Sequence, residues 1–245
     1  FSIAASSPRL DSKIKLRDHY RCHQDIALYF NNHFYGDTLR VNTVTSNLNV
    51  PSSYKPGVKW TDITGNIDRV GGKSVICKAE IEAVVDEIKN ILVKHKFEGS
   101  IGVVSPFAKQ AERIRDAAFA KIPIEKLKKA EFVSSTAHGF QGDEKDVILI
   151  STMLQPDLHR GGSWFIQGES SANLWNVAAS RARAVLHVFG NKDMEDTSEV
   201  KKDWELKKHI EKKRESRLDG VPKTLPSLTR AQRLQEKASL VGFDW

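Results

Sequence analysis

The 245 residues predict an α/β fold with a mostly parallel sheet, and three observations carry that expectation. Short apolar runs, IGVV at 101–104, VILIST at 147–152 and LHVFG at 186–190, have the continuous hydrophobicity of strands buried on both faces. Stretches of helical periodicity alternate with them, the pattern that builds strand–helix–strand units. Polar loops stand at the ends of these apolar segments, where a parallel sheet offers a binding surface.

Composition narrows the classes. A hydrophobic content of 40% suffices for a core and argues against general disorder. The formal net charge of +7 favours a polyanionic partner without requiring one. Two cysteines, Cys22 and Cys77, make neither a disulfide framework nor a metal cluster, and read as free thiols of a cytoplasmic protein. No run of eighteen apolar residues is present, so no membrane partner is expected. The chain opens on Phe1 without an initiator Met, and is expected to be a piece of something longer.

Residues 1–15 read as a lead-in. In HYRCHQDIALYFNNHFYG at 19–36, Ile26, Phe30 and Phe34 recur at helical spacing before Gly36 ends the pattern. Arg21, just ahead of that helix, can reach a phosphate in a neighbouring cleft or stand solvated beside aromatic packing. Spacing leaves both open. Residues 43–74 are polar and predict loops and short strands. GGKS at 71–74 is not a phosphate loop, because that motif requires Gly at position 67, where this chain has Ile67. Over 79–93, Ile81, Val84, Val85, Ile88 and Leu92 share one helical face. The strand at 101–104 then leads into a helix from Phe107, with Ser105, Lys109 and Gln110 at the junction. These groups suit a nucleic-acid backbone, though most such junctions are only crossover turns.

The stretch 133–152, VSSTAHGFQGDEKDVILIST, reads as strand, polar glycine turn, strand. Thr136 and His138 follow the first strand. Glu144 and Asp146 precede the second, and the glycines let backbone amides approach phosphate oxygens. A long connection at 155–172 carries Trp164 and Phe165, candidates for stacking on bases. NLWNVAASRARA at 173–184 predicts a helix. On it Arg181 and Arg183, two apart, cannot point the same way, so one can face a cleft while the other braces the scaffold. Residues 192–215 read as an amphipathic closing helix of mixed charge, and 216–245 as a Gly/Pro linker followed by a new helical segment.

Four of these stretches carry a family resemblance. TAHGFQGDEKDVILIS at 136–151 resembles motif V of superfamily 1 helicases of the Upf-like branch, and NVAASRARAVLHVFGN at 176–191 resembles their motif VI. LRDHYRCHQDIALYFNNHFYGDTL at 16–39 is similar to motif IV, and VVSPFAKQAERI at 103–114 to motif IVa. The resemblance covers residues 10–215 and implies the second RecA-like domain, a three-layer α/β/α unit. It implies that Arg21 and Arg181 touch the ATP γ-phosphate, with Gly142, Glu144 and Arg183 on the nucleotide side. Ser105, Lys109, Gln110, Thr136 and His138 would follow single-stranded DNA or RNA. The chain departs from the family at His19, where Gln is usual, at Gln24, where Pro is usual, and in ASRA, where LTRA is usual. The phosphate loop and the Asp-Glu pair for Mg2+ belong to a first RecA-like domain, so the resemblance implies that this chain alone does not hydrolyse ATP. LDGVPKTLPSLTRAQRLQEKASLVGFDW at 218–245 resembles the start of a MazG-type nucleoside triphosphate pyrophosphohydrolase domain.

Overall fold

A computed structural model describes residues 17–72, 74–140, 143–159, 162, 166 and 172–194. The chain divides into two compact units, Phe1–Asn191 and Lys192–Trp245. The described residues belong almost entirely to the first. The closing helix and tail expected over 192–245 lie outside them, apart from a single 3-10 turn at Lys192–Met194.

The first unit is the expected RecA-like α/β arrangement. A five-stranded parallel sheet runs β3 (Gly57–Asp62), β9 (Ala182–Gly190), β8 (Lys145–Ser151), β6 (Ile101–Val104), β7 (Val133–Ser135). The three central strands are buried nearly throughout, which is why they appear in the sequence as uninterrupted apolar runs. Side chains of β8 alternate between two layers. Val147 and Leu149 pack under α2 (Lys78–Lys89) and α3 (Ala108–Lys121), whose inward residues include Val84, Ile88 and Ile114. Ile148 and Ile150 face the opposite layer, against Ile26 and Phe30 of α1 (Gln24–Phe30) and Ala178 of α5 (Ala172–Ser180). The remaining helix, α4 (Ile124–Lys129), buries Leu127 into the first layer.

Smaller pieces frame the sheet. β1 (Asp18–His19) pairs with β2 (Arg40–Val41), and β4 (Ile67–Val70) forms an antiparallel hairpin with β5 (Ser74–Cys77). Gly71 and Gly72, at φ +60° and +83°, are in the hairpin turn and Ser74 opens β5, an arrangement unlike a phosphate cradle.

One boundary differs from expectation in a way that matters. The helix predicted over 173–184 stops at Ser180, and β9 begins at Ala182. The Lys145 amide donates to the Arg181 carbonyl at 3.0 Å, and Lys145 stands in register with Ala182. The β8 ladder therefore captures residues whose own propensity is helical. Arg181 is in a turn and Arg183 is on a strand.

Candidate functional site

Three polar loops meet where β8 and β9 begin. After β1 the chain bends through Tyr20, Arg21 and Cys22. The His23 amide donates to the Arg183 carbonyl at 2.8 Å, which ties this bend to the start of β9. Arg21 Nη1 donates to the Ser180 carbonyl at 3.3 Å, at the C-terminal end of α5, where exposed carbonyls carry partial negative charge. Its Nε pairs with Glu144 Oε1 at 2.7 Å. Arg21, Glu144 and Arg183, with Asp18, His19 and Tyr20, line an open cleft of about 460 Å³. Arg181 does not line it, but its Nε is buried there at the helix–strand turn without a hydrogen-bond partner. Gly142 and Gln141 lie outside the described residues.

The electrostatics follow from burial and from these charges. The side chains of Arg21 and Glu144 are 39% and 35% exposed, so their pair contributes only about 0–1 kcal/mol to stability and mainly aims the guanidinium. Burial pushes the Cys22 thiol up to about 12, which leaves it an inert packing group. Burial, then the neighbouring Arg21 charge, holds the His19 imidazole below its ordinary range, and Glu144 opposes them. Behind Glu144, the Lys145 ammonium is almost fully buried and bonds to Glu131 at 3.2 Å and Asp143 at 3.3 Å, which steadies the loop.

The cleft is at the N-terminal edge of the strands. Open α/β sheets ordinarily bind ligands at the opposite edge, where helix N-termini offer free amides. Here that opposite edge is sealed over β8. Met153, Cys77, Val75, Leu158 and Ile166 form a small apolar cluster beneath the hairpin. Beside it Glu80 is fully buried and accepts from Ser151 Oγ at 2.6 Å, the Met153 amide at 3.0 Å and Gln155 Nε2 at 3.0 Å. Burial raises its carboxyl above the usual carboxylate range, and these three bonds oppose the rise. The pattern over 79–93 sets its acids on the face opposite the apolar one, and Glu80 corrects that, although the signal was there. It falls on the same helical face as Val84 and Ile88.

Burial corrects two expectations. Gln110 is fully buried and does not reach a nucleic-acid strand. Its Oε1 accepts from the Cys77 amide at 3.0 Å, while its Nε2 donates to the Cys77 carbonyl at 3.2 Å and to Ser151 Oγ at 3.0 Å. Ser105 is fully buried as well, with its hydroxyl unpartnered. Past the ends of β6 and β7, Lys109 is bonded to Glu112 at 2.8 Å, Thr136 is half-buried and His138 is exposed on a 3-10 turn, Ala137–Phe140. Trp164 and Phe165 lie outside the described residues. Among the described residues no group of three or more His, Cys, Asp or Glu could hold a metal ion, and no helix is long and apolar enough to cross a membrane.

A family model described as "AAA domain" matches residues 5–193. The chain is 27% identical over 206 residues to the putative helicase mov-10-B.1 of Danio rerio, a match covering 76% of this chain and 20% of that protein. It is 35% identical over 114 residues to the DNA polymerase alpha-associated DNA helicase A of Saccharomyces cerevisiae, covering 46% and 15%. A separate match, 42% identical over 62 residues, is to the nucleoside triphosphate pyrophosphohydrolase of Escherichia coli, covering 24% of each. The chain thus spans a quarter or less of the length of these relatives.

Proposed function

The chain belongs to the AAA domain family, and on that premise we propose that it is the second RecA-like half of an ATP-driven helicase or translocase motor. In this reading Arg21 and Arg181 meet the γ-phosphate of an ATP held by a first RecA-like domain, Glu144 and Arg183 stand on the nucleotide side, and Thr136, His138 and Lys109 line part of a single-stranded DNA or RNA path. The observation that carries it is the cleft's position and make-up. Arginines converge at the N-terminal strand edge, beside a helix C-terminus that offers carbonyls in place of free amides, so the cleft can stabilise phosphate charge but is not built to cradle a nucleotide alone. Bound ATP would supply the reactive phosphoryl group, and the Mg2+ would be held by the first domain.

The test uses the protein that carries both halves. Arg21→Ala and Arg181→Ala are each expected to lower ATP turnover about 10³-fold, the scale on which a transition-state arginine acts, with single-strand affinity largely retained. Turnover unchanged in both variants would sink the reading. A second reading, part of a nucleotide pyrophosphohydrolase fusion, is favoured by the 62-residue match, which is longer than the 218–245 stretch. Pyrophosphate release from nucleoside triphosphates by the chain with Mg2+ would support it.

A further inference from the structure

The turn that presents Arg21 is closed by a side chain with no place in the scheme above. The Cys22 amide, buried behind the arginine, donates to His19 Nε2 at 3.1 Å. A backbone N–H can only donate, so Nε2 must carry a lone pair and the ring proton must be on Nδ1. The bond spans three residues and encloses Tyr20 and Arg21. Phe30 holds the ring edge-on at 5.3 Å between centroids, and buried Cys22 keeps its sulfur 3.7 Å from the Ser180 carbonyl that also receives Arg21. Swinging His19 away would therefore disturb both the hydrogen bond and the packing.

We propose that His19 is a positioning residue for Arg21, a clasp that holds the Tyr20–Arg21–Cys22 turn through its unprotonated Nε2 and opens when the ring takes up a proton. Protonation sets an N–H against the Cys22 N–H, two donors with no acceptor between them. Of the groups around the ring, Arg21 opposes its protonation and Glu144 favours it, while Asp18 and Arg183 line the same cleft and Phe30 is apolar. Burial and Arg21 prevail, so the clasp is closed at neutral pH. Its stabilisation is present above the ordinary value of 6.5 and is lost as pH falls below it. The consequence for ATP rests on the function proposed above, whereas the clasp itself does not.

Two measurements keep the clasp and that function apart. On the chain as it stands, long-range 1H–15N spectra should show His19 with its proton on Nδ1 at pH 7.5. The Cys22 amide and Arg21 Nε–H resonances should shift together as pH is lowered from 7.5 and His19 takes up its proton. In His19→Gln, whose side-chain carbonyl can accept the same amide but does not titrate, both resonances should stay put. A proton on Nε2 at pH 7.5, or an Arg21 resonance that titrates equally in His19→Gln, overturns the clasp. In the protein with both halves of the ATP site, the ratio of wild-type to His19→Gln turnover should fall toward a limiting slope of about tenfold per pH unit below the His19 midpoint. A flat ratio, with Arg21→Ala inactive, overturns the link from His19 to Arg21. Unchanged turnover in both Arg21→Ala and Arg181→Ala overturns the ATP reading, and the spectra then still decide the clasp.

Discussion

Replacing Gln110 by leucine tests whether this residue belongs to the scaffold or to a nucleic-acid path. The side chain makes three buried bonds, two to the backbone of Cys77 and one to Ser151 Oγ. Leucine keeps most of the volume but leaves the Cys77 amide unpaired, whereas the Cys77 carbonyl, at the N-cap of α2, keeps the first helical bond. Ser151 still has Glu80 as a partner. An unpaired buried backbone N–H costs about 1–3 kcal/mol, so the expected loss is about 1–3 kcal/mol. A domain of this kind is stable by about 5–15 kcal/mol, which makes the loss a large fraction of the whole. Urea unfolding followed by tryptophan fluorescence measures it. Native-state hydrogen exchange should show the Cys77 amide among those most accelerated. Binding of a single-stranded oligonucleotide, measured below the unfolding midpoint, should be unchanged. A loss under about 0.5 kcal/mol, the size of an ordinary surface substitution, would refute the argument, as would weaker oligonucleotide binding with stability intact.

Two further expectations follow from buried charge and protonation. His187 is buried between Tyr54, 2.6 Å from Nδ1, and Thr61, 2.7 Å from Nε2, and Tyr54 donates onward to Glu87 at 2.6 Å. Burial, then the charge of Lys59, pushes the imidazole down to about 3. Its stabilisation is present above the ordinary 6.5 and lost as pH falls toward 3, at up to about 1.4 kcal/mol per pH unit. Glu80, raised by burial, contributes with the opposite sign, so the difference in urea midpoint between wild type and His187→Gln from pH 7 to 4 isolates the histidine. Lys145→Met removes a buried ammonium whose partners, Glu131 and Asp143, are exposed enough to be solvated without it. Global stability should change by less than about 1.5 kcal/mol, while Glu144 loses its brace and Arg21 its fixed aim. Limited proteolysis at 143–146 is expected to speed up. Unchanged cleavage there would show that Lys145 does not hold the loop.

Much of the fold was legible because the strongest signals come from burial. IGVV, VILIS and LHVF had to be central strands, since only a sheet covered on both faces hides such runs. The apolar stripe through Val84 and Ile88 likewise had one place to go. Propensity misled at SRARA, whose alanines and arginines favour helix, because the deciding factor was the β8 ladder, supplied by residues some forty positions earlier. Gln110 misled for another reason. Amide side chains serve equally at surfaces and inside networks, and only its place on the Ile114–Ala118 face hinted at burial.

The sequence by itself determined the residue types at the site: an arginine ahead of one helix, a pair of arginines two apart in a stretch of helical propensity, and a glutamate beyond a glycine turn. Their chemistry, with permanent positive charge against a carboxylate, is local to each residue. Only the tertiary structure decided that Arg21, Glu144 and Arg183 share a cleft, that it opens at the N-terminal edge of the strands, and that the opposite edge is sealed over β8 by Glu80, Gln110 and Met153. Those facts depend on strand order and register. They are set by which apolar faces bury each other across the sheet, and no local pattern contains them.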